Sequence, residues 1–69
     1  MYKWMIDIYL KSGTKFECAY QGKEDNTHDV AAHLFGNKAP NDTLGFMSQE
    51  MYHNVFVVAS EIAAFDIYV

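Results

Sequence analysis

Arginine is absent from this chain. Lysine occurs only five times against nine aspartates and glutamates, a formal net charge of −4 over 69 residues. Nucleic-acid binders carry a basic stripe or patch; none is present, so direct binding to DNA or RNA is not expected. Cysteine is nearly missing as well. Cys18 stands alone, so no intramolecular disulfide can form and a cysteine-based zinc site is excluded. A lone thiol in an apolar run suits a reducing cytoplasm, where it behaves as a small hydrophobe. Long hydrophobic runs are lacking too: nothing approaches the roughly 18 apolar residues that span a bilayer. The opening "MYKWMIDIYLKSG" has neither the uninterrupted apolar core nor the small-residue cleavage site of a signal peptide. The expectation is a cytoplasmic protein with no membrane partner.

What is present is apolar and aromatic: 51% hydrophobic and 16% aromatic residues, well above a disordered segment. The chain reads as a single domain, 1–69. Domains this small bury only about 60% of the surface their unfolded chains expose. They compensate with disulfides, a metal or self-association. With no staple in the sequence, self-association is the expectation.

Tyr2, Trp4, Ile6, Ile8 and Leu10 alternate with Lys3, Met5, Asp7, Tyr9 and Lys11, a period of two that marks a strand with one buried face. "KSGT" supplies a turn with Gly13 available for positive φ. "KFECAY" continues as a second strand with Phe16, Cys18 and Tyr20 on one face. A helix follows. Asn26 or Thr27 can cap it, Glu24, Asp25 and Asp29 suit its positive end, and Val30, Ala31, Leu34 and Phe35 form its apolar stripe. Gly36, followed by Asn37, is the expected left-handed stop, with Pro40 forbidding continuation. "TLGFMS", "NVFVVA" and "IAAFDIYV" read as three further strands, the middle one ending in a kink at "SE".

The order β-β-α-β-β-β predicts an α+β fold. It is one twisted antiparallel sheet, or a small partly closed barrel, with a single short helix packed on it. The first and last strands are expected to be neighbours.

Candidate chemistry is sparse. His28 and His33 lie five positions apart on the helix, so their directions differ by roughly 140°; paired helical metal ligands sit at i and i+4. Asp29 and His33 have that relation, but it suits a surface hydrogen bond. No metal or cofactor is expected. Ser12, Ser48 and Ser60 lie in turn-like contexts without a nucleophile elbow. "GNKAPNDTLG" lacks phosphate-loop spacing. Asp7 and Asp66 face each other if the end strands pair; two solvated aspartates are the expectation. A chain of this length has little room for a convergent catalytic pocket, so no enzyme is expected.

The sheet's second face is the more telling feature. If the helix covers Trp4, Ile6 and Ile8, then Met5, Tyr9, Ala64 and Tyr68 point away from it. Met and aromatic residues are enriched at interface centres, and clustered exposed apolar groups mark contact surfaces. Met5, Tyr9 and Tyr68 are therefore the candidate interface, with a homodimer as the expected use. Met47, Met51 and Tyr52, around the third turn, form a second candidate patch.

In size, style and layout the chain resembles small proteins encoded by phages and prophages of Gram-positive bacteria. These run hairpin, short helix, then strands ending in a segment like "FVVASEIAAFDIYV". The resemblance implies a small binder that modifies or inhibits a host machine, or acts in phage assembly or regulation. "HLFGN" after a hairpin is similar to the helix end of phage inhibitors of uracil-DNA glycosylase, small acidic dimers that mimic DNA. That similarity covers five residues, and the chain departs from those inhibitors in its extra strands and unclustered acids. It implies His33, Leu34 and Phe35 near an apolar contact with the enzyme, and carboxylates in place of phosphates. Two functions follow as expectations: a non-enzymatic protein-interaction module that self-associates and binds or inhibits a protein partner, and an acidic DNA mimic. The second requires Asp25, Asp29, Asp42, Glu50 and Glu61 to line up at phosphate-like spacing.

Overall fold

The computed structural model describes residues 1–50 and 52–69. Strand β1 (Tyr2–Leu10) and strand β2 (Lys15–Gly22) form the expected hairpin. Gly13 takes φ 94°, a region that side-chain-bearing residues rarely occupy, and the turn closes through Leu10 N–H to Thr14 O at 2.8 Å. Helix α1 (Thr27–Phe35) is capped by Asn26, whose side-chain oxygen accepts from Asp29 N–H at 2.9 Å. The helix stop differs from expectation. Gly36 is extended, and Asn37 takes the left-handed conformation with φ 56°. Gly36 is there for a close approach: its N–H bonds Ala32 O at 3.0 Å, and a Cβ would collide with that same carbonyl.

Strands β3 (Thr43–Ser48) and β4 (Asn54–Val58), a 3-10 turn (Ala59–Glu61) and strand β5 (Ile62–Tyr68) complete the chain. One antiparallel sheet results, in the order β4-β3-β2-β1-β5. The first and last strands are neighbours, as expected. The sheet is open rather than closed into a barrel, and β4 and β5 are its edges.

Those edges nevertheless approach each other at one end. From Val58 to Ile62 the chain can reach at most about 14 Å, whereas crossing a flat five-stranded sheet takes about 19 Å. The sheet must therefore coil. The crossing is pinned by Ala59 N–H to Asp42 O and Ser60 N–H to Pro40 O, both 2.8 Å, and by Lys11 N–H to Glu61 O at 2.9 Å.

The inner face carries the core: Trp4, Ile6, Ile8, Cys18, Leu44, Phe46 and Val57 from the strands, with Val30 from α1. Nine helical residues are too few to hold together alone, so this burial is what maintains α1. Phe35 adds a stack on Phe65, with centroids 3.9 Å apart and planes at 10°. The loop before the helix is tied down by Trp4, whose indole N–H donates to Glu24 O at 3.0 Å, and by Tyr20, whose hydroxyl donates to the Glu24 carboxylate at 2.9 Å. Among the described residues, no helix is long and apolar enough to cross a membrane.

Candidate functional site

Helix α1 covers one face of the sheet, and the other carries the candidate residues. Strand register sets their order. Tyr68, Met5, Ala19 and Met47 form one continuous row across β5, β1, β2 and β3. Asp66, Asp7 and Glu17 form the next row, and Ala64, Tyr9 and Lys15 the one after. Near the β4 edge Phe56 lies opposite Gly45. A Cβ at Gly45 would sit 3.0 Å from the Phe56 ring; the glycine is what lets that ring lie across its neighbour.

Met5, Tyr9 and Tyr68 do come together on this face, as the alternation predicted. Met47 joins them. It was expected in a separate patch with Met51 and Tyr52, but it occupies the same cross-strand row as Met5 and Tyr68. Tyr52 stands apart in the turn before β4, 90% exposed, and Met51 lies outside the described residues. Phe56, 68% exposed, was missed because "NVFVVA" reads as an unbroken apolar run with no marked face. The glycine opposite it in β3 is the signal, usable only once the register is known.

The middle row is where expectation and structure part. Asp7 and Asp66 are opposite each other, but Asp7 is only 7% exposed. Tyr68 donates its hydroxyl to Asp7 Oδ1 at 3.2 Å, and Lys15 Nζ stands 3.7 Å from Asp7 Oδ2 and equally far from Glu17 Oε2. Tyr9 donates to Asp66 Oδ2 at 3.3 Å and lies beneath Lys15, whose Nζ is 5.7 Å from the ring centroid. Gln49 donates to the Tyr68 oxygen at 3.5 Å. The attraction of Asp7 raises the Lys15 pKa above the ordinary lysine value. Asp7 is thus partnered by Tyr68 and Lys15, and both tyrosines hydrogen-bond through their hydroxyls. Chemically, this is a net-negative row of three acids in which Tyr68 and Lys15 serve the buried Asp7 and Tyr9 serves Asp66, bordered by an apolar row with Met47 and Tyr68 each 40% exposed.

The remaining candidates are scattered. His28 and His33 are exposed. The His33 ring lies 5.6 Å from Tyr20, with Nδ1 4.0 Å from Glu24 Oε2, while Asp29 is engaged by Asn26 instead. His53 lies in the turn before β4. Among the described residues, no three His, Cys, Asp or Glu side chains are placed to hold a metal ion. Burial pushes the Cys18 thiol up to about 11, which suppresses the reactive thiolate at neutral pH. Asp25 and Asp29 both accept from Asn26, Asp42 accepts from Ala39 N–H, and Glu61 sits in the 3-10 turn. Leu34 and Phe35 pack against the core.

Compared with known proteins, the chain matches no family model, no curated protein and no solved structure.

Proposed function

We propose that this protein is a non-enzymatic protein-interaction module that associates with a second copy of itself through the outer face of its sheet. One observation carries the reading. The face uncovered by the helix carries Tyr68, Met5, Ala19 and Met47 in one cross-strand row, with Tyr68 and Met47 exposed, Met5 half-buried and Ala19 buried, flanked by the exposed Phe56 and beside Asp7, which is already hydrogen-bonded and ion-paired within the chain. Asp7 is therefore not stranded, while the exposed Asp66 and Glu17 suit the polar rim of such an interface. A free, buried Cys18 fits a reducing cytoplasm. The resemblance to small phage and prophage proteins extends the reading to a host or phage protein as a further partner, bound or inhibited by occlusion.

Sedimentation over a range of concentrations tests self-association. The wild type is expected to dimerise, and a Met47→Glu, Phe56→Glu variant to remain folded as a monomer. Both side chains stand outside the Asp7 network, so the variant alters the face without opening that network. A wild type that stays monomeric at every concentration removes self-association, and a variant that still dimerises removes this face.

A further inference from the structure

A different region of the fold holds an open cleft. At the end where the sheet edges converge, α1 has already stopped at Phe35 while the strands continue, and an open cleft of about 460 Å³ lies on the helix side. That lies within the roughly 300–1,000 Å³ of small-molecule sites. Buried Leu44 and half-buried Phe35 and Ile62 give it an apolar interior, with Phe65 alongside. The Phe35–Phe65 stack fixes one wall, and the backbone bonds of Ala59 and Ser60 fix the crossing strap. Three exposed polar residues complete the lining: Lys11, Lys38 and Ser60.

The charge here runs against that of the whole molecule. In a chain of net charge −4 with five lysines, two lysines line this one cavity and no acid does. Among the described residues neither Lys11 nor Lys38 is in an ion pair, whereas Lys15 is shared between Asp7 and Glu17. An apolar lining bordered by two lysines outside any ion pair suits a ligand with an apolar body and one anionic head.

We infer that this cavity binds a small apolar carboxylate, its alkyl or aryl body against Leu44, Ile62 and the Phe35–Phe65 stack and its carboxylate between Lys11 and Lys38. The site is on the opposite side of the sheet from the proposed contact face and stands independently of it.

The test is titration of the full chain, labelled for amide NMR, with octanoate and separately with 1-octanol, which keeps the apolar body and lacks the charge. Octanoate is expected to shift the amides of Lys11, Leu44 and Ile62 saturably and to bind at least tenfold more tightly than 1-octanol. A Lys11→Ala, Lys38→Ala variant should lose at least tenfold in octanoate affinity and leave 1-octanol unchanged. Both lysines are exposed, so the variant's spectrum should otherwise overlay that of the wild type. Ser60→Trp, which fills the mouth, should abolish binding of both. Equal affinity for acid and alcohol, octanoate binding undiminished by loss of the lysines, or shifts confined to other residues would each overturn the assignment.

Discussion

The tyrosine hydroxyls do unequal work. Tyr68 serves a carboxylate that is almost fully buried, whereas the acceptor of Tyr9 is the exposed Asp66. Leaving a buried charged acceptor short of a donor costs on the order of 1–3 kcal/mol, while an exposed pair contributes little. Tyr68→Phe should therefore lower unfolding stability by about 1–2 kcal/mol, and Tyr9→Phe by less than about 0.5 kcal/mol, as measured by urea denaturation. Equal losses would mean that Asp7 does not depend on Tyr68. Glu24 gives a pH signature. Its backbone hydrogen bond first, then the Tyr20 hydroxyl and the nearby His33, hold its pKa below the ordinary value of 4.5. A folded pKa below the unfolded one stabilises fully above the unfolded value and is lost as pH falls through the folded value. The wild type should thus lose stability below about pH 4.5, and Glu24→Gln should flatten that acid limb in denaturation curves recorded between pH 3 and 6. The burial of Asp7 was not legible in the sequence. Alternation assigns Asp7 to the face away from the helix, but it cannot show that Tyr68, sixty-one positions away, arrives to cover it.

Among the elements, β1 was the plainest in the sequence and is the one on which the others depend. Its clean alternation sends Trp4, Ile6 and Ile8 inward, and it pairs on both sides, with β2 and β5. Ile6 and Ile8 are fully buried, and truncating such a side chain costs about 2–5 kcal/mol. A domain of this length has only a few kcal/mol to lose. Ile6→Ala should therefore leave much of the protein unfolded at 37 °C, seen as loss of amide dispersion; a cooperative thermal transition unchanged from wild type would contradict this core. Helix α1 depends on its cap. Asn26→Ala should cost about 1 kcal/mol, checked by chemical denaturation. The helix stop was misjudged because glycine's usual role is a positive φ. Here Gly36 admits the Ala32 carbonyl, and Asn37 tolerates the left-handed turn through its short polar side chain.

At the scale of the whole molecule, the pattern of strands and helix was legible, but the curvature was not. Strand count and alternation do not say how far a sheet coils. Here the coil follows from the short crossing at Ala59–Glu61, which draws the β4 and β5 ends together and leaves the lysine-lined cavity past the helix. One face is packed by α1, and the outer face holds a row of three acids around Lys15 beside exposed apolar side chains. Covering that outer face is the central claim. The most direct test is the attenuation of methionine-methyl and phenylalanine-ring NMR signals by a soluble paramagnetic agent, followed over a dilution series. Met5, Met47 and Phe56 should be protected at high protein concentration and become accessible on dilution, while Met1, 91% exposed at the chain start, is attenuated throughout. Equal attenuation of Met47, Phe56 and Met1 at every concentration would contradict the account.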